Sequence, residues 1–312
     1  PYLRLSGRSQ DKNHFNRLLI GASEHPSVLQ GHGFSKEFVS DLTILPDGRI
    51  DTEGLEIELK RSLELGQKPL VSIQAANSET GVLQEIGQIS VLVHQYAGLL
   101  HVDAVQAAGR LPLDRLCAGA DLLSLSAHKL GGPQGVGALI VRGGGLHFDH
   151  PLLRGGGQEQ GRRSGTENVA GIFAFGAACQ TAFKQLPTET QRLTALRNRL
   201  MNQMRQIDPH LVQFGEQAER LPNTVYFAPS FMDAQTALMR FDLAGIALSS
   251  GSACSSGKVK DSHVLVAMGV EPALRKRALR ISLGWSTTED DISRFCEIYE
   301  KEYQAKSGVR AA

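Results

Sequence analysis

Short apolar runs alternate with longer segments of helical period through the first half of the chain. Leu18 to Ala22, Thr43 to Leu45, Pro69 to Ile73, Leu99 to Val102, Leu122 to Leu125 and Val136 to Val141 read as strands. Between them, Asp51 to Leu65 places Leu55, Leu59 and Leu63 at helical spacing behind Asp51 as N-cap, and Ile86 to Tyr96 puts Ile89, Leu92, Val93 and Tyr96 on one face. Strands without polar alternation are covered on both faces. The pattern therefore predicts an α/β large domain, a mostly parallel sheet with helices on both faces. Such sheets bind ligands at the carboxyl ends of their strands, which singles out His25, Asn77, Ser78, Asp103, Gln106, Ser126, His128 and Lys129.

From Leu153 the pattern changes. Arg154 to Asn168 is rich in glycine, arginine and serine and runs into a helix from Val169 to Phe183, which suits either an anion-binding loop or a flexible linker. Leu186-Pro187 predicts a break before a second helix, Glu189 to Ile207. Thr224 to Phe227, Ala247-Leu248 and Leu279 to Leu283 read as strands, and Thr287 or Thr288 caps a last helix, Ile292 to Tyr303. These segments predict a large domain over residues 1–186 and a smaller α+β domain over residues 187–312.

Charge narrows the range of partners. With 33 basic against 32 acidic residues and a net charge of +1, the chain carries no polybasic stripe, so nucleic acid and anionic membrane are not expected partners. No apolar run reaches the roughly 18 residues of a membrane span. The 4 cysteines, Cys117, Cys179, Cys254 and Cys296, lack metal-ligand spacing, and a chain of this length needs no disulfides, which together predict a cytoplasmic protein without a metal site. Beginning at Pro1 rather than Met, the chain reads as a fragment or a processed form.

The candidate chemistry lies in two stretches. Ser126-Ala127-His128-Lys129 ends a strand with a hydroxyl, an imidazole and an amine, and Asp103 ends another with a carboxylate. An amine for covalent attachment, an acid for a ring nitrogen, a stacking group and phosphate donors form the set that a pyridoxal phosphate site requires. Ser249 to Gly257 sets Cys254 among small residues, where a thiol is accessible, whereas structural cysteines sit among bulky apolar neighbours.

These motifs carry a resemblance. Glu24-His25, Asn77-Ser78-Glu79-Thr80-Gly81, His101-Val102-Asp103-Ala104-Val105-Gln106, Ser126-Ala127-His128-Lys129, Arg163-Ser164-Gly165-Thr166, Gly251-Ser252-Ala253-Cys254 and Arg280-Ile281-Ser282-Leu283-Gly284 occur in the order found in cysteine desulfurases. The chain resembles that family, fold type I pyridoxal phosphate enzymes of the class V aminotransferase group, from about Leu18 to about Arg294. The resemblance implies conversion of L-cysteine to alanine with the sulfur left as a persulfide on Cys254.

It further implies that Lys129 anchors pyridoxal 5'-phosphate, that Asp103 pairs with the ring nitrogen and that His25 stacks on the ring and moves protons. Gln106 would bond the phenolic oxygen, Asn77 and Ser78 would touch cofactor or substrate, and Ser126 and His128 would hold the phosphate. Thr166 would reach the phosphate of a neighbouring protomer, implying a homodimer, and Arg280 would clasp the substrate carboxylate. An iron-sulfur scaffold or another sulfur acceptor is the implied protein partner. Selenocysteine lyase and an inactive scaffold are the rival expectations. The chain departs from the family in two respects: Ser78 stands where a second Asn is frequent, and the family's front segment, with its phosphate-cradling turn, is absent from the sequence.

Overall fold

The computed structural model describes residues 3–5, 14–143, 145–148, 151–251 and 261–307. They divide into two compact units: Pro1–Thr43, Ile50–Ala75 and Gln84–Lys184 form the first, and Ile44–Arg49, Ala76–Leu83 and Gln185–Ala312 the second.

The first unit is built on a six-stranded sheet. Separate from that sheet, β1 (Leu3–Leu5) pairs antiparallel with a later segment, Leu146–Phe148. Next come β2 (Arg17–Gly21) and the short helix α1 (Pro26–Leu29), then β3 (Val39–Leu42), α2 (Thr52–Glu64) and β4 (Pro69–Gln74). α3 (Ile86–Gln95), β5 (Leu99–Asp103), α4 (Leu113–Leu116), β6 (Leu122–Ser126) and β7 (Gly137–Val141) follow, and β8 is the Leu146–Phe148 partner of β1. The strand order is β3-β2-β4-β5-β6-β7, parallel throughout except for β7, which runs antiparallel to β6. Every residue of β2 is buried, and Val71, Ile73, Leu100 and Val102 are wholly inaccessible, as a sheet covered on both faces requires.

Two elements differ from the sequence expectation. The second strand occupies Val39–Leu42 rather than Thr43 to Leu45. It is an edge strand paired only with β2, so the half-buried Val-Ser-Asp-Leu suffices there and no continuous apolar run is needed. The helix α5 runs unbroken from Val169 to Ile207, through Pro187. Proline removes one hydrogen bond of a long ladder, and the turns beyond it are held by Leu193, Leu196, Leu200 and Met204, all buried in one apolar cluster.

The second unit carries a four-stranded antiparallel sheet in the order β11-β12-β10-β9, where β9 is Val212–Gln213, β10 Thr224–Ala228, β11 Ser249–Ser250 and β12 Leu279–Ser282. Its helices are α6 (Ala234–Leu243), α7 (His263–Ala267), α8 (Pro272–Arg275) and α9 (Glu289–Ser307), together with the later turns of α5. Val225, Phe227, Phe241, Phe295 and Tyr299 form its core. Phe241 and Phe295 stack at 5.2 Å between ring centroids.

Candidate active site

The parallel sheet of the first unit brings together most of the candidate residues. β5 and β6 are neighbours, with Asp103 paired to Ser124, so the carboxyl ends that carry Asp103 and Ser126 lie side by side. Past Ser126 the chain makes a single 3-10 turn, Ala127–Lys129, which leaves His128 and Lys129 exposed. The Ser126 hydroxyl lies 2.9 Å from His128 Nδ1. Asp103, half-buried, accepts from Val105 N through Oδ1 at 2.9 Å; Oδ2 makes no hydrogen bond among the described residues.

His25 follows β2 on the same sheet and is exposed. Its Nδ1 accepts from Ser27 N at 3.2 Å, which makes it the N-cap of α1 and fixes the ring through that nitrogen. Gln106 lies in the turn after β5. Arg110 donates to both the Gln106 carbonyl (2.8 Å) and the Lys129 carbonyl (3.0 Å), tying that turn to the lysine-bearing one. Thr166 is exposed in the loop before α5.

Three groups around this sheet end were not assigned from sequence. Glu24, wholly inaccessible, accepts from Gln74 N at 2.5 Å; burial above all, with the charge of Asp103 adding to it, holds its carboxyl well above the usual range. His101, two residues before Asp103 on β5, lies 2.7 Å from Ser72 Oγ on β4 and 2.7 Å from Ser124 Oγ on β6. Burial lowers its pKa and keeps it neutral. Arg110 is the third. Glu24 and His101 fall inside quoted motifs, which was their only sequence signal.

The second unit holds the remaining candidates. Asn77 is buried, and its Oδ1 accepts from Glu79 N (2.8 Å), Thr80 N (2.8 Å) and Thr80 Oγ1 (3.2 Å), so this oxygen serves a local turn. The Ser78 carbonyl accepts from Arg280 on β12 at 2.9 Å, while the buried Arg280 Nε has no partner among the described residues. A guanidinium with an unsatisfied buried N–H is prepared for a carboxylate. Cys254 lies outside the described residues. The other thiols are poor nucleophiles: burial pushes Cys117 up to about 12 and Cys296 up to about 11, and raises Cys179 as well.

This donor set fits pyridoxal phosphate. The first unit supplies an amine at one strand end, a carboxylate with a spare oxygen at the next, an exposed imidazole and a hydroxyl-imidazole pair. No helix among the described residues is long and apolar enough to cross a membrane, and these residues contain no cluster suited to a metal ion.

Residues 8–295 match the family described as Aminotransferase class-V. A "Cysteine desulfurase IscS" from Dictyoglomus turgidum is 37% identical over 287 residues, covering 91% of this chain and 71% of the relative. A "Cysteine desulfurase" from Klebsiella pneumoniae is 43% identical over 244 residues, covering 78% of this chain and 61% of the relative. The X-ray structure of a NifS-like protein from Rickettsia africae superposes with a TM-score of 0.80 at 34% identity, covering 93% of this chain and 76% of that one.

Proposed function

The chain belongs to the aminotransferase class-V family, within it to the cysteine desulfurases of fold type I, and from this we infer that it is a pyridoxal phosphate-dependent cysteine desulfurase. Its substrate is L-cysteine, and the sulfur passes to an acceptor by way of a cysteine of the chain. The observation that carries the reading is the placement of Lys129 and Asp103 past the ends of adjacent parallel strands, an amine and an acid side by side at one sheet edge.

When bound, pyridoxal phosphate supplies an electron sink that makes the Cα proton of cysteine acidic and its sulfur open to attack. The chain's own groups do the rest. Lys129 anchors the cofactor and moves the Cα proton. Asp103 pairs with the ring nitrogen, for which it has Oδ2 available. His25, its Nδ1 engaged by Ser27, offers its ring face for stacking and Nε2 for proton transfer. Ser126 and His128 donate to the phosphate, and Gln106 to the phenolic oxygen. Arg280 binds the substrate carboxylate beside Ser78, whose carbonyl holds it, and Asn77 serves the cofactor.

Cys254, as thiolate, attacks the substrate sulfur. The C–S bond breaks, an S–S bond forms, and the former Cβ gains a proton to give alanine; the sulfur is oxidised and the carbon reduced, with no external oxidant required. Thr166, exposed in its loop, serves the phosphate of a second protomer in a homodimer. An iron-sulfur scaffold is the acceptor we assign, and the cytoplasm is the compartment.

Cys254→Ser separates these steps. Cofactor uptake and borohydride trapping on Lys129 are expected to persist, while alanine formation from cysteine stops. Unchanged alanine formation in that variant overturns the reading.

A further inference from the structure

Cys254 lies between two flanks of the chain that the second unit holds. On one side Gly251 follows β11; on the other Ser262 opens α7. Ser262 is 4% exposed. Its hydroxyl accepts from Leu265 N at 3.1 Å as the helix cap and donates to Glu79 Oε2 at 2.5 Å. Gly251 approaches the same carboxyl: a Cβ there would lie 2.8 Å from the Tyr226 hydroxyl, 3.0 Å from Ser262 Cβ and 3.4 Å from Glu79 Oε2. No side chain beyond hydrogen fits at 2.8 Å without movement of the buried tyrosine.

Glu79 is itself 3% exposed, and a carboxyl so deeply buried is costly unless its partners are fixed. Its neighbours have defined roles. Burial first, and then the Glu79 charge, hold the Tyr226 phenol above its usual range, so Tyr226 stays protonated beside it. The peptide carbonyl that links Ser78 to Glu79 is the acceptor for Arg280. One short segment, Ser78-Glu79, therefore receives the guanidinium through its backbone and the Ser262 flank of the cysteine segment through its side chain, while the Gly251 flank packs against Ser262 and Tyr226.

We propose that Glu79 is a positioning residue for sulfur transfer: it holds Ser262, against which Gly251 packs, and so keeps the flanks of the Cys254 segment in one frame with Arg280. The proposal rests on the desulfurase reading above. Glu79 does not react; it sets where the thiol segment leaves and rejoins the unit relative to the group that binds the substrate carboxylate. Its removal acts on the transfer step and spares both the uptake of cofactor at Lys129 and the binding of cysteine.

The test uses the holoenzyme, with alanine release and persulfide mass on Cys254 as kinetic readouts. In Glu79→Ala, kcat is expected to fall about tenfold, the equivalent of about 1.4 kcal/mol, with KM for cysteine within about twofold of the parent. Glu79→Gln retains an oxygen for Ser262 and is expected to recover most of kcat. In the cofactor-free protein, hydrogen exchange at the amides of Gly251, Ser262 and Leu265 is expected to quicken in the alanine variant and return in the glutamine variant.

Parental kcat in Glu79→Ala overturns the proposal, as does a joint shift of kcat and KM or a glutamine variant as slow as the alanine one. Should Glu79→Ala fail to fold, Gly251→Ala presses on Tyr226 and on the Ser262 that Glu79 holds, with Glu79 intact; it is expected to lower kcat at constant KM, and parental kcat there overturns the proposal equally. A parent enzyme that forms no alanine from cysteine sinks the desulfurase reading, and the proposal with it, which distinguishes the two failures.

Discussion

Glu24 shows how a single buried acid leaves a mark on stability. Its folded pKa lies above the ordinary value of 4.5, so below that pH both folded and unfolded chains hold the proton and the group's contribution is fully present. As pH rises, the unfolded chain releases the proton first, and the contribution is lost until the folded value is passed. Glu24→Gln keeps an acceptor for Gln74 N but cannot ionise. The wild-type melting temperature should therefore decline with rising pH above about 4.5 relative to that of Glu24→Gln; parallel profiles would show that the acid is not held protonated. Arg280 permits a second measurement at this scale. Arg280→Gln removes the charged donor proposed for the substrate carboxylate, and the expected result is a KM for cysteine raised about tenfold or more while cofactor uptake is unchanged. An unaltered KM would place the carboxylate elsewhere.

At the scale of elements, capping and terminal hydrogen bonds decide where segments begin and end. Asp51 accepts from Glu53 N and Gly54 N and starts α2 where its residue type and the following apolar spacing predict. Asp208, just past α5, does more. It is wholly inaccessible and accepts from Ser230 N (2.8 Å), Ser230 Oγ (2.6 Å) and the Tyr299 hydroxyl (3.0 Å), joining the end of α5 to the bend that follows β10 and to α9. Asp208→Ala strands three donors in the core of the second unit, and a loss of about 3 kcal/mol in denaturant unfolding is expected. A loss below about 1 kcal/mol would show that water replaces the carboxylate there.

Over the whole molecule, the sequence made the central strands legible because β2, β4 and most of β5 are buried on both faces and admit little but apolar residues. The edge strand β3 was not legible at its true position, since half-exposed positions tolerate Ser40 and Asp41. Lys129, Asp103 and His25 stood out as candidates because strand ends and motifs coincide. The role we give Glu79 could not, because its partner Ser262 lies 183 residues away and no local pattern links them. Nor could the short segments 44–49 and 76–83 be seen to belong with residues beyond 184, since that is a property of tertiary contacts rather than of period.

The row of Ser72, His101 and Ser124 crosses three strands of the sheet, and its chemistry gives it a polarity. A neutral imidazole carries one hydrogen, so it gives to one serine and takes from the other, and the two hydroxyls must point the same way along the row. Two orientations exist, and they interchange only when the ring changes tautomer and the hydroxyls rotate with it. The nitrogen-15 resonances of that single ring would therefore report which way the sheet is polarised beneath Asp103, and whether a guest at the strand ends reverses it.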